Sequence, residues 1–236
     1  MFWKGITIML GDANIVAVAS LLADSTRAGI ILALSDGRAF PAGELARRIR
    51  VAPSTASAHL SKLVEAKLIT VEKQGRHRYF RLTDPAIMQV IESLAVLAPA
   101  APVHSLRESE VGGAVRSARM CYNHLAGKLG VALAQAMVDK GIFVSSDDGY
   151  LVTDCGREWF DEFGLDGIVL KKREPLFVPH HIDWSERRHH VAGALGAALA
   201  RRLFDLGWIK RIPSSRAVRL TEEGQEELLK EFGLSL

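Results

Sequence analysis

The sequence predicts a mostly α chain with small β-hairpin wings, an α+β protein. An N-terminal winged helix-turn-helix is expected to precede a C-terminal domain of two pseudo-symmetric helix-hairpin-helix, winged-helix-like repeats. Three observations carry this. Residues 42–84 read as two short helices, a turn and a basic hairpin. Residues 47–81 hold nine Lys or Arg against only Glu65 and Glu72, a density suited to a phosphate backbone. A run beginning at His124 returns at His190.

In the first helix Leu45 and Ile49 stand four apart and share a face. Pro53 is expected to stop it, because proline lacks an N–H and disfavours helical geometry in the residue before it. The second helix then starts near Ser54 or Thr55, either of which can cap its free amides. Leu60, Leu63 and Val64 form its buried stripe, leaving Ser54, Thr55, Ser57, Ala58, Ser61 and Lys62 outward. Ile69, Val71, Phe80 and Leu82 alternate around the turn Gln74-Gly75-Arg76, a hairpin signal. The expected DNA contacts are Pro53, Ser54, Thr55, Ser57, His59 and Lys62 in the major groove, with Lys73, Arg76, His77 and Arg78 on the wing.

The segments Leu22-Ala23-Asp24-Ser25-Thr26-Arg27 and Ser54-Thr55-Ala56-Ser57-Ala58-His59-Leu60-Ser61-Lys62-Leu63 give residues 12–97 a resemblance to the ArsR/SmtB family of winged-helix repressors. The resemblance implies a homodimer that binds an imperfect palindrome and lets go when an effector arrives. It also places the dimer interface on the helix before the motif and the helix after the wing. Here these are residues 13–22, with Ile15, Val16, Ala19 and Leu22 on one face, and residues 84–97. Asp84 is the expected cap of the later helix, Pro85 lies in its first turn, and Ile87, Val90, Ile91 and Leu94 form its apolar stripe. Two metal sites usual in the family are missing. Pro41 and Gly43 stand where its cysteine pair falls, and residues 85–103 contain no His or Cys.

With 236 residues, 48% of them hydrophobic, the chain has material for two domains. Residues 1–97 are expected to form the DNA-binding and dimerisation domain, 98–114 a linker opened by Ala98-Pro99-Ala100-Ala101-Pro102, and 115–236 the effector domain. Residues 1–100 hold twelve basic against eight acidic side chains and residues 101–236 eighteen against nineteen, so the second half is not the main nucleic-acid binder. Two cysteines, Cys121 and Cys155, exclude a disulfide framework built from several bridges and point to a cytoplasmic protein. The apolar opening of residues 1–10 is interrupted at Asp12, too short for a membrane span, and reads as an ordered extension or frayed terminus. No nucleophile elbow, phosphate loop, dinucleotide glycine pattern or His-Glu-x-x-His points to an enzyme.

The repeat sets residues 124–134 against 190–200 at an offset of 66, with copies expected over 115–166 and 182–236. Each copy reads as a long helix, a hairpin and a closing helix, the hairpins turning at Asp147-Asp148-Gly149 and Pro213-Ser214-Ser215. Ala126, Gly130 and Ala134, like Ala192, Gly196 and Ala200, make a strip with almost no side chain, which implies a close approach by a helix or a ligand. His124 and His190 stand at equivalent positions beside those strips. A small-molecule effector is expected against Cys121, His124, Gly127, Arg187, His190 and Gly193, with no cofactor required. The alternative is a metal ion drawn from Cys121, His124, His180, His181 and His190, since Cys-x-x-His puts two ligands on one helical face. The expected partners are double-stranded DNA, a second copy and the effector, and no membrane.

Overall fold

The computed structural model describes residues 13–99, 102, 105–165 and 176–235, so the apolar opening lies outside the described residues. Their contacts fall into two units, residues 13–34 with 38–84, and 35–37 with 85–235.

The first unit runs α1 (Ile15–Leu22), α2 (Ser25–Ala33), β1 (Phe40–Pro41), α3 (Ala42–Ile49), α4 (Pro53–Glu65), β2 (Ile69–Gln74) and β3 (His77–Leu82). Its core gathers Ile30, Ile31 and Leu34 with Leu45, Leu60, Leu63, Ile69 and Leu82. The break between α3 and α4 differs from expectation. Arg50, left-handed at φ 57°, ends α3, and Pro53 begins α4. Proline is tolerated at a first helical position because that N–H has no helical acceptor anyway. Ala52 is the residue before it, so neither Ser54 nor Thr55 caps the helix. The strands order β1-β3-β2, with Gln74 opposite His77 and Lys73 opposite Arg78. Gly75, at φ +59°, takes the turn position that a side chain would strain.

The second unit opens with α5 (Ala86–Leu97), which begins after Pro85 rather than at it. Helix α6 (Leu106–Ser117) begins within the expected linker and runs past its expected end at 114, its first turn held by the Ser105 hydroxyl accepting from the Glu108 amide. Then come β4 (Arg119–Cys121), β5 (His124–Ala126), α7 (Gly127–Asp139), β6 (Phe143–Ser146), β7 (Gly149–Val152) and α8 (Asp154–Glu162). The same order follows again as β8 (Phe177–Ile182), β9 (His189–Val191), α9 (Gly193–Asp205), β10 (Ile209–Arg211), β11 (Val218–Leu220) and α10 (Glu222–Phe232). The stretches at His124 and His190, expected as starts of long helices, are therefore strands. Gly127 at φ +80° and Gly193 at φ +68° turn each chain from strand into helix.

The strands cross between halves. Hairpin β6-β7 is extended by β8 and β9 into one four-stranded sheet. In the other direction β4 bridges toward β11 through Arg119 and Ala217, with Met120 N–H donating to the Arg216 carbonyl at 2.9 Å. The small-residue strips serve this crossing. A side chain at Gly130 would meet the Leu125 backbone in the preceding strand β5 and approach His190, and one at Gly196 would meet the Val191 backbone in β9 and approach His124.

The closing helices share one device. The Thr153 and Thr221 hydroxyls accept from the Gly156 and Gly224 amides at 2.8 and 3.0 Å. The same hydroxyls donate to the carbonyls of Gly141 and Gly207 at 2.6 and 2.9 Å. The aromatic residues Phe143, Phe160, Trp208 and Phe232 fill the core between them.

Helix α5 divides its expected apolar stripe, with Ile87 and Ile91 half-buried. Val90, Leu94 and Leu97 are exposed, while Met88 and Glu92 are buried. A buried carboxylate persists only when paired, and Glu92 accepts from Arg119 at 3.2 Å and Arg216 at 3.0 Å. These bonds place α5 by contact in the second unit, one helix earlier than the boundary expected at 98.

A Cβ at Gly224 would lie 2.1 Å from the Trp208 carbonyl oxygen, whereas one at Gly43 meets nothing within 4 Å. Gly224→Ala should therefore cost about 1–3 kcal/mol, and Gly43→Ala should stabilise by about 0.5–1 kcal/mol. Urea unfolding of the two variants checks both signs.

Candidate functional site

On α4, Pro53, Ser54, Thr55, Ser57, Ala58, Ser61 and Lys62 are exposed while Ala56, Leu60 and Leu63 are buried. The Ser57 and Ser61 hydroxyls donate to carbonyls four residues back, at 2.9 and 3.0 Å. That leaves a short polar face which lets a partner come close to the helix. Beside it, Lys73, Arg76, His77 and Arg78 are exposed on the wing. Arg81 is paired with Glu72, and Arg48 is held by Glu44 at 2.8 Å and lies over the Phe40 ring. The basic excess read from the sequence thus divides into structural arginines and free wing cations. His59 parts from the expected set, since its Nδ1 lies 3.3 Å from Asp24 Oδ1. Asp24 also accepts from the Arg27 amide at 2.9 Å, and that bond foremost holds its carboxyl below the usual range.

The second unit brings together a different chemistry. Cys121 and His124 stand directly opposite each other across the β4-β5 hairpin, and His181 and His190 directly opposite across β8-β9. One donor atom from each of the four lies within 4.8 Å of the others. The His124 ring stacks on His190 at 5.1 Å and meets His181 edge-on at the same distance. Cys121, His124 and His190 are buried and His181 is half-buried. Burial holds the His124, His181 and His190 imidazoles below their ordinary range, His190 to about 3, and pushes the Cys121 thiol up to about 12. All four are therefore neutral at physiological pH.

Strand alternation decides which histidines join. His181 and His190 face the cluster, whereas their neighbours His180 and His189 stack on each other at 3.7 Å on the opposite side. There they line an open polar groove of about 420 Å³ with Tyr150, Gln135 and Arg187. His180 and Arg187 thus leave the expected set. Gly127 is occupied too, its amide donating to Asp183 at 2.6 Å, and Gly193 packs on Pro179.

Three residues that the sequence reading missed hold the cluster in place. Asp183 Oδ2 accepts from Arg119 at 2.9 Å and lies 3.9 Å from His190 Nδ1. Its Oδ1 accepts from the Ser185 hydroxyl and from the Ser185 and Glu186 amides. Burial works to raise the Asp183 carboxyl, but the Arg119 charge and these bonds outweigh it and hold it at about 2. Arg119 is fully buried, lies over Trp184, and joins Asp183 to Glu92. Glu92 offered one signal, a lone acid in the apolar run Val90-Ile91-Glu92-Ser93-Leu94. Asp183 and Arg119 offered none, because the 66-residue offset pairs neither with a like residue.

Comparison with known proteins bears on the first unit and then on the whole chain. A helix-turn-helix domain family model matches residues 22–72. The HTH-type transcriptional regulator CmtR of Mycobacterium bovis is 30% identical over 89 residues, 38% of this chain and 75% of that protein. The homodimeric winged helix-turn-helix domain Mb0332 of Mycobacterium bovis, described as a possible ArsR-family regulator, is 22% identical with a TM-score of 0.33, covering 38% of this chain and 89% of that one. The uncharacterized HTH-type transcriptional regulator YdfF of Bacillus subtilis (strain 168) is 45% identical over 225 residues, 95% of this chain and 100% of that protein. The chain belongs to the ArsR-type winged-helix transcriptional regulators. In this ArsR-type chain the Cys/His cluster stands apart from both metal positions that the family resemblance pointed to, since it lies on hairpins of the second unit. Among the described residues no single helix is long and apolar enough to cross a membrane.

Removing one member of a buried ion network leaves its partner charged and unpaired. Arg119→Met should lower stability by about 3–5 kcal/mol, more than Arg216→Met, whose guanidinium is partly exposed. Chemical denaturation followed by tryptophan fluorescence reads the difference.

Proposed function

We propose that this regulator binds an operator as a homodimer through α4 and its wing, and that a ligand held in the second unit sets its affinity for DNA. The reading rests on one observation. Short polar side chains line the outer face of α4, and the wing that follows it carries Lys73, Arg76 and Arg78, which stand exposed without an acidic partner among the described residues. On this reading Ser54, Thr55, Ser57, Ser61 and Lys62 approach base edges and phosphates, while the wing cations hold the backbone. His59 positions α4 against Asp24 rather than touching bases.

Dimer formation is supported by apolar side chains left exposed on the two helices that the family resemblance pointed to. These are Ile15, Val16 and Val18 on α1, and Val90, Leu94 and Leu97 on α5. The two halves of the second unit act as a pseudo-symmetric pair, supported by their matching element order and reciprocal strand exchange. Glu92 lies on the inner side of α5 and is bonded to Arg119, which is bonded to Asp183 beside His190. Occupancy of the cluster then acts on the dimer by favouring one setting of α5 over another.

Replacing Arg76 and Arg78 together by Ala should weaken DNA binding across sequences and lower the slope of log affinity against log salt by about 2. Fluorescence anisotropy at several salt concentrations measures it, and an unchanged slope removes the wing from the interface. Leu94→Glu should shift sedimentation from dimer toward monomer and weaken operator binding with it. A dimer of undiminished stability would remove α5 from the contact.

A further inference from the structure

We propose that Cys121, His124, His181 and His190 bind one late first-row transition-metal ion of the Zn2+ type in a four-coordinate site that ties the two halves of the second unit together. The site is separate from the positions usual in ArsR-type chains.

Geometry comes first. In a tetrahedral site with bonds of about 2.0–2.3 Å, neighbouring donors stand about 3.3–3.7 Å apart. The four donors here already lie within 4.8 Å of one another, so small rotamer adjustments close the shell. Each hairpin supplies two ligands from directly opposed residues, which fixes their separation by backbone hydrogen bonds rather than by side-chain chance.

The second observation is independent of spacing. His124 Nε2, His181 Nδ1 and both ring nitrogens of His190 are buried without a hydrogen-bond partner among the described residues. Each buried polar atom left so costs about 1–3 kcal/mol, and four in one place are a large concentration of that cost. A bound cation uses the lone pairs that nothing else takes. The flanking groups point the same way. His124 Nδ1 lies 3.2 Å from Asn123 Oδ1, a contact that suits the tautomer with its proton on Nδ1 and its Nε2 open to ligate. Asp183 stands beside His190 Nδ1, where a carboxylate orients a metal-bound imidazole.

Donor chemistry selects the ion. One sulfur and three imidazoles, with no oxygen among them, disfavour Mg2+ and Ca2+ and suit Zn2+, Co2+ and their neighbours. On binding, the Cys121 thiol gives its proton to solvent and the resulting thiolate bonds the ion, with no change of oxidation state.

Metal binding rests on the cluster alone, and only its effect on the operator rests on the function proposed above. The test uses the full chain stripped with a chelator and titrated with Co2+ as an optical probe, followed by Zn2+ competition and elemental analysis. One ion per chain, tetrahedral d–d absorption and a thiolate-to-cobalt charge-transfer band are expected. Cys121→Ser should lose that band. His181→Gln, at the half-buried ligand, should weaken binding at least tenfold, while His180→Gln, one residue along and facing the groove, should leave it unchanged. Circular dichroism confirms that each variant is folded. Octahedral absorption, a band that survives Cys121→Ser, no retained ion, or equal loss from the two histidine variants overturns the site. In parallel, operator affinity is measured with and without Zn2+. An ion bound as expected with DNA affinity unchanged overturns the effector reading and leaves the metal site standing.

Discussion

The second unit depends on one buried ion pair. Arg119 on β4 and Asp183 in the loop after β8 lie 64 residues apart in sequence, and both are removed from solvent. Burying two charges is costly unless their remaining hydrogen-bonding capacity is met. Asp183 meets its share with the Gly127 amide, Ser185 and the loop amide of Glu186, and Arg119 meets much of its own with Glu92 and Ser185. The pair therefore fixes three things at once: the start of α7, the loop between β8 and β9, and the inner face of α5. Without it the hairpins that present the four Cys/His donors would have no common anchor.

The first unit was legible because its signals are local. Leucines at helical spacing and a glycine at a hairpin tip each act over a few residues, and the structure keeps both. The errors there are also local. Pro53 was read as an ending when it is a beginning, because proline is compatible with both positions and only Arg50, in a left-handed conformation, distinguishes them. Periodicity groups His59 with the polar face of α4, and its approach to the distant Asp24 is invisible to that pattern.

The second unit was legible in its repeat but not in its site. A fixed offset of 66 matches His124 to His190 but sets Cys121 against Arg187. The strands show the true counterpart of Cys121 to be His181, because two residues separate Cys121 from His124 whereas eight separate His181 from His190. The unequal loop hides the equivalence, so the sequence names His181 together with His180 without telling which of the two joins the cluster. The segment around His181 carries no local sign of its placement for a related reason. Its strand pairs with β7 of the other half, a contact no local pattern announces.

Helix α5 has two faces with opposite duties. Its twelve residues turn Glu92 inward to a pair of arginines and Leu94 outward to solvent, two positions along one rigid rod. A rod cannot rotate one side and leave the other still. Any event that loosens or tightens the grip on the carboxylate must swing the outer leucines through the same angle, and three turns of helix carry that motion along their length without a hinge.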